Sequence, residues 1–147
     1  MNYEILPMRE SDIHGIVSLE NECFSSPWTY EGIEEELHNP DSHFLCAKGE
    51  KIMGYIGIQE ICGEAYITNI AVSGEFRRNG IARKLLAEAC IGAGERKCEF
   101  ITLEVRESNL PAISLYESEG FEKVGIRKNF YSRPTENGII YTKFLTR

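Results

Sequence analysis

A short basic loop ahead of an amphipathic stretch is the clearest candidate for ligand chemistry in the sequence. It reads Arg77-Arg78-Asn79-Gly80-Ile81-Ala82, and Arg83 follows directly. The first turn of a helix has backbone N–H groups without intrahelical acceptors, and the helix dipole makes that end positive. Gly80 would let the backbone approach an anion closely, the arginines add charge, and small Ala82 leaves room. The loop therefore predicts a pyrophosphate site, with an ordinary surface turn as the alternative.

The loop differs from the two best-known phosphate loops, because it lacks the GxxxxGK(S/T) pattern and, with a single glycine, the GxGxxG pattern. This disfavours mononucleotide-binding and dinucleotide-binding folds. The strand-like run Thr68 to Val72 ends just before the loop. A ligand whose diphosphate rests on the loop can extend along Ile70, Ala71 and Val72, and backbone groups there can pair with the two amides of pantetheine. The alternative is a core strand without a ligand.

The elements that must position these residues follow from hydrophobic periodicity and turn residues. Strands are expected at residues 3–6, 43–47, 51–60, 65–72, 99–105, 121–131 and 138–144. Helices are expected from Ser11 or Asp12, from Thr29 to Leu37, from Gly80 to Gly94, and from Asn109 to Glu119. No linker or repeat divides the chain, so this order predicts one domain, residues 1–147, with an α/β fold and helices on both faces of a mixed sheet.

Composition excludes several classes of protein. The formal net charge of -7 disfavours a general nucleic-acid binder. A negative charge of this size either keeps the protein soluble or attracts a basic protein substrate. The chain has neither a long apolar run nor a basic, then apolar N-terminus, so we expect a cytoplasmic protein without a membrane segment. The five cysteines are scattered without a CxxC pair, and the histidines lack ligand spacing, so reduced thiols and no metal site are expected.

Four segments together resemble the GNAT superfamily of N-acetyltransferases, and most of all its RimI-type ribosomal-protein alanine acetyltransferases. They are residues 69–72 (NIAV), 77–83 (RRNGIAR), 103–109 (LEVRESN) and 112–121 (AISLYESEGF). The likeness spans nearly the whole chain. It implies the GNAT fold, a mostly antiparallel sheet of about seven strands flanked by about four helices. It also implies acetyl-CoA as the acetyl donor.

The resemblance assigns a role to each candidate residue. Ile70, Ala71 and Val72 would hold pantetheine, residues 78–83 the pyrophosphate, and Asn109 a further part of the cofactor. Glu104 would accept a proton from the attacking amine, and Tyr116 would donate one to the CoA thiolate. Without the resemblance, a solvated strand position is the favoured interpretation of Glu104, and a core tyrosine explains Tyr116 equally well.

The chemistry is consistent with these roles. An amine attacks a thioester only when neutral, and the α-amine of a peptide in water has a pKa of about 7.7 to 8.0, so a carboxylate base is useful near neutral pH. Backbone N–H groups near Val72 would stabilise the oxyanion. No cysteine has a paired histidine in its sequence context, which favours direct transfer over a covalent acetyl-enzyme.

The acceptor side is less determined by the sequence. Trp28 and Tyr131 are expected to line an acceptor groove, although each is equally explained as a buried anchor. The resemblance implies that the acceptor is a protein N-terminus, that of the alanine of the eighteenth small-subunit ribosomal protein. Two alternatives remain open: acetylation of lysine side chains or small amines, and a non-catalytic acyl-CoA-binding module.

Overall fold

Seven strands form one mixed sheet in the computed structural model, which describes residues 2–146. The end residues of the expected 1–147 domain therefore lie outside the described residues. The strand order is β1-β2-β3-β4-β5-β7-β6. In chain order the elements are β1 (Glu4–Pro7), α1 (Ile13–Cys23), α2 (Tyr30–His38), β2 (Ser42–Lys48), β3 (Ile52–Ile61), β4 (Glu64–Val72), α3 (Ile81–Glu95), β5 (Phe100–Arg106), α4 (Leu110–Ser118), β6 (Glu122–Tyr131) and β7 (Glu136–Phe144).

This architecture confirms the predicted fold class, and the element boundaries agree to within about two residues. Thr29 caps α2 as expected, since its hydroxyl accepts from the backbone N–H of Gly32 at 3.1 Å. Neither Ser11 nor Asp12 caps α1 through its side chain. The carboxylate of Asp12 instead accepts from the backbone N–H of Arg9 at 2.8 Å, within a short 3-10 turn that precedes the helix.

Two hydrophobic cores hold the helices against opposite faces of the sheet. The larger core lies under α3, where Ile81, Leu85 and Leu86 are at most 1% exposed, and it includes Tyr116 of α4. The smaller core lies under α1 and α2, around Ile16. Full burial of each such aliphatic side chain stabilises the fold by about 1.5–3 kcal/mol. The packing therefore fixes α3, and the loop that precedes it, against the end of β4.

The parallel pair β4 and β5 separates part of the way along the sheet. Its backbone register covers only Glu64 to Tyr66 of β4, against Phe100 to Thr102 of β5. Just beyond, the pairing of β4 with β3 shifts register so that Thr68 is an extra residue between two paired neighbours. Such a bulge bends its strand. The later halves of β4 and β5 thus leave a cleft between them.

Within residues 2–146, no helix combines the length and apolar character that crossing a membrane requires.

Candidate active site

The loop between β4 and α3 presents backbone donors in a fixed geometry. Arg78 and Gly80 both have left-handed backbone conformations, with φ of 64° and 76°. The Asn79 side-chain amide donates to the carbonyls of Phe76 at 3.0 Å and Arg77 at 3.1 Å, which holds the loop closed. The carbonyl of Gly80 accepts the first helical hydrogen bond, from the N–H of Lys84 at 3.1 Å. The backbone N–H groups that precede Lys84 in the helix have no intrahelical acceptor.

These donors are the N–H groups of Ile81, Ala82 and Arg83, and no side chain caps the helix. They lie at the positive end of the α3 dipole, the arrangement that binds phosphate at helix N-termini. Ile81 is only 1% exposed as a whole residue, so its packing in the larger core anchors the first turn of α3. This backbone geometry is compatible with the predicted pyrophosphate site.

The three arginines near this loop have different surroundings. The Nε of Arg77 donates to the carbonyl of Val72 at 3.2 Å, so this side chain points back toward β4. Arg83 donates to the Ser118 hydroxyl at 2.8 Å and pairs with the carboxylate of Glu119. Arg78 is exposed and has no ion pair among the described residues. Arg78 is therefore the guanidinium that is free to meet an anion.

The last residues of β4 offer one backbone edge to the cleft. Ile70, Ala71 and Val72 pair with β3 on one side, and on the other side β4 pairs with β5 only as far as Tyr66. Unpaired N–H and C=O groups along such an edge can bond to the amides of an extended ligand. This edge is compatible with the predicted role of residues 70–72 in holding pantetheine.

Glu104 lies on β5 and faces away from the core beneath α3. Its neighbours Leu103 and Val105 are in that core, whereas the side chain of Glu104 is 27% exposed. The Nε of Arg127 lies 3.0 Å from Glu104 Oε1. Glu104 and Arg127 line an open cavity of about 310 Å³ on the face of β5, β6 and β7. The carboxylate is therefore held by one cation and remains accessible from an open groove.

Tyr116 is enclosed by aromatic rings on the opposite side of the sheet. Its ring centroid lies 5.8 Å from that of Phe121 and 6.5 Å from that of Tyr141. Burial, with a smaller contribution from nearby Tyr131, raises the pKa of Tyr116 to about 12. The phenol is thus protonated at neutral pH, as a proton donor must be.

Tyr131 interacts electrostatically with both Glu104 and Tyr116. Burial and the negative charge of Glu104 raise the pKa of Tyr131, and Tyr131 in turn contributes to the raised pKa of Tyr116. The guanidinium of Arg106 lies 4.6 Å from the centre of the Tyr131 ring. The end of β6 therefore brings an aromatic side chain close to the proposed base.

Trp28 lies on the connection between α1 and α2, over the other half of the sheet. Its ring centroid is 6.1 Å from that of Phe44, and its backbone N–H donates to Glu20 Oε1 at 2.9 Å. Trp28 and Tyr131 thus belong to segments on different halves of the sheet. This placement is compatible with two walls of one groove.

Asn109 has a structural contact that the sequence interpretation did not include. Its side-chain oxygen accepts from the backbone N–H of Ala112 at 3.3 Å and caps α4. Only its amide nitrogen is left for a ligand. Among residues 2–146, no group of three or more His, Cys, Asp or Glu side chains is arranged to hold a metal ion.

Sequence reasoning missed Arg127 as a partner of Glu104, and it missed a buried cluster centred on Glu20. The sequence does not show in which register β6 joins the sheet, so nothing in it indicated that Arg127 contacts Glu104. Glu20 did give one, because it falls four residues after Ile16 on the buried stripe of α1. A carboxylate at a core position indicates hydrogen-bond partners inside the fold.

Comparison with known proteins identifies the family. The sequence profile described as the acetyltransferase (GNAT) family matches residues 13–121. A ribosomal protein bS18-alanine N-acetyltransferase of Escherichia coli is 31% identical over 134 residues, covering 91% of this chain and 89% of that protein. A Bacillus subtilis relative, provisionally given the same activity, is 38% identical and covers 90% of this chain and 89% of its own.

The crystal structure of the Escherichia coli ribosomal-protein-S18-alanine N-acetyltransferase superposes with a TM-score of 0.91 at 27% identity, covering 99% of this chain and 96% of the other. These matches confirm the resemblance that the four sequence segments indicated. The chain therefore belongs to the GNAT family of acetyltransferases, whose acetyl donor is acetyl-CoA.

Proposed function

We propose that this chain acetylates the α-amine of a protein N-terminus, and specifically the N-terminal alanine of ribosomal protein bS18. The observation that carries the proposal is the position of Glu104 on β5 beyond the last residue that pairs with β4, where its side chain lines an open groove next to the cleft between the two strands. An amine reaching Glu104 from the open groove and a thioester lying along β4 would meet in this cleft. The bS18-alanine acetyltransferases of Escherichia coli and Bacillus subtilis support the acceptor assignment.

On the donor side, the N–H groups of Ile81, Ala82 and Arg83 and the Arg78 guanidinium bind the pyrophosphate. The edge of β4 from Ile70 to Val72 aligns the pantetheine, and backbone N–H groups near Val72 stabilise the oxyanion. Arg77 and Asn79 shape this loop through their contacts with backbone carbonyls. Asn109 contributes its amide nitrogen.

On the acceptor side, Glu104 accepts the proton of the attacking amine, directly or through water. The amine nitrogen forms a bond to the thioester carbon, the C–S bond then breaks, and Tyr116 gives its proton to the departing sulfur. Trp28 and Tyr131 form the two walls of the acceptor groove. No covalent acetyl-enzyme is involved.

The preference for an α-amine has a physical basis. In water the pKa of an α-amine is about 7.7 to 8.0 and that of a lysine ε-amine about 10.4, so at neutral pH the α-amine has a neutral fraction a few hundred times larger. A single carboxylate base can therefore deprotonate an α-amine more easily than a lysine ε-amine. A ribosomal acceptor places the reaction in the cytoplasm.

Acceptor profiling tests this proposal. The purified chain is incubated with acetyl-CoA and a panel of peptides, and products are measured by mass spectrometry. The panel contains the bS18 N-terminus with a free amine, the same peptide with a blocked amine, and a lysine peptide with a blocked N-terminus, and a polyamine is assayed beside it as a small amine. We expect acetylation of the first peptide alone. Acetylation only of lysine or small amines would reject the acceptor, and acetyl-CoA binding without turnover would indicate a non-catalytic acyl-CoA-binding module.

A further inference from the structure

A carboxylate without a cationic partner lies inside the smaller core. Glu20 of α1 is 0% exposed, and among residues 2–146 no lysine, arginine or histidine forms an ion pair with it. Removing a carboxylate from water is unfavourable by several kcal/mol unless hydrogen-bond donors replace the lost water. A carboxylate in such a position therefore needs donors from the surrounding elements.

Three donors from three different segments converge on Glu20. The backbone N–H of Trp28 donates to Oε1 at 2.9 Å. The side-chain amide of Asn69 donates to Oε2 at 3.1 Å, and the Tyr55 hydroxyl donates to the same oxygen. All three neighbours act as donors, so both oxygens of the Glu20 carboxyl group serve as acceptors. Burial and the hydrogen bond to Glu20 raise the pKa of Tyr55, so the phenol retains the proton that it donates.

These donors connect the two sides of the proposed active site. Trp28 lies on the segment between α1 and α2 that would form one acceptor wall. Asn69 directly precedes the β4 residues Ile70 to Val72 that would align the thioester, and Tyr55 pairs with Ala71 in the sheet. A single carboxylate therefore fixes the acceptor wall relative to the donor strand.

We propose that Glu20 is a positioning residue that sets the geometry between the acceptor amine and the acetyl thioester, a role that rests on the proposed function. The pyrophosphate loop lies at the start of α3, and none of the three donors to Glu20 belongs to it. Loss of the Glu20 hydrogen bonds should therefore impair acceptor use and leave the affinity for acetyl-CoA nearly unchanged.

Glu20→Gln is the direct test, because glutamine has the same size but presents an NH₂ group to neighbours that are all donors. We expect kcat/KM for the acceptor peptide to fall about ten-fold or more, and the Kd for acetyl-CoA to change less than about two-fold. Tyr55→Phe removes one donor and should give a smaller loss of the same kind. Glu88→Gln, which changes an exposed carboxylate on α3, is the matched control and should change neither quantity.

A rescue experiment separates positioning from general destabilisation. Asn69→Asp alone puts two carboxylates in contact and should be defective. Combined with Glu20→Gln, it restores much of the complementarity, because the glutamine amide can donate to the new carboxylate at position 69 while its oxygen accepts from the Trp28 N–H. The Tyr55 hydroxyl, which lies on the same oxygen of Glu20 as Asn69, can turn to accept the second amide hydrogen. We expect the double variant to recover at least part of the acceptor kcat/KM that the Glu20→Gln variant loses.

The outcomes are distinguishable from failure of the proposed function, which would appear as an inactive wild-type chain. With an active wild type, unchanged kinetics in a folded Glu20→Gln variant would overturn the positioning role. A parallel loss of acetyl-CoA affinity and melting temperature, without rescue by the double variant, would equally overturn it and assign Glu20 to folding alone.

Discussion

Replacement of Gly80 by alanine tests the proposed pyrophosphate loop, and Gly63 provides a matched control. Both glycines have left-handed backbones, with φ of 76° at Gly80 and 78° at Gly63. At neither position would an added Cβ meet another atom within 4 Å. Gly63 lies in the turn between β3 and β4, away from the loop. The two substitutions therefore impose the same backbone strain without a steric clash.

The expected magnitudes follow from this match. An alanine in the left-handed region is less favourable by about 1–2 kcal/mol, so Gly63→Ala and Gly80→Ala should reduce the free energy of unfolding by the same amount. Only the methyl group at position 80 competes with a phosphate for space in front of the free N–H groups. Loss of one or two charge-assisted hydrogen bonds of about 1.5–3 kcal/mol each weakens CoA binding by roughly 10-fold to 1,000-fold or more.

Calorimetric titration with CoA and denaturant unfolding of both variants check these values. We expect equal stability losses and a loss of CoA affinity in Gly80→Ala alone. If both variants bound CoA as tightly as the wild type, the loop would not be the pyrophosphate site. If both lost affinity equally, the effect would come from reduced stability rather than from the loop.

Three further predictions concern single side chains. Glu104→Gln should lower kcat/KM about 100-fold or more while the Kd for acetyl-CoA stays the same, as measured by CoA release and calorimetry; full activity would exclude Glu104 as the base. Tyr116→Phe should lower kcat similarly. Because burial raises the pKa of Tyr116 to about 12, ionisation of this phenol should cause no loss of wild-type activity up to about pH 10, and a pH–rate profile checks this. Burial also raises the pKa of the Cys46 thiol to about 12, above its value in the unfolded chain. Its contribution to stability is thus complete below about pH 9 and lost as the pH rises toward 12, so Cys46→Ala should show a shallower alkaline decline in unfolding free energy than the wild type.

The sequence predicted the fold correctly, and it allowed a specific prediction of the donor side of the site, because both depend on local signals. Periodicity, turn residues and the cap at Thr29 are encoded within short segments, and the left-handed Gly80 at the start of α3 is one of them. Contacts between segments that are distant in the sequence could not be predicted from such local signals. The bulge at Thr68 is set by its register with β3, and the turn of Arg77 toward Val72 depends on where β4 ends.

The buried cluster at Glu20 shows the same limit. Periodicity places Glu20 on the buried side of α1, but nothing local shows that Tyr55 and Asn69 lie against it. Their separations of 35 and 49 residues along the chain mean that only the folded sheet brings them together. The partner of Glu104 was missed for the same reason, since Arg127 reaches it from β6.

The most direct test of the proposed activity is the intact mass of bS18 isolated from cells of the source organism. We predict that bS18 carries one N-terminal acetyl group in the wild type and loses it when the gene is deleted. Expression of the wild-type chain should restore it, whereas expression of a folded Glu104→Gln variant should not. A bS18 that remains acetylated after deletion, or that the Glu104→Gln variant acetylates as fully as the wild type, would contradict the account.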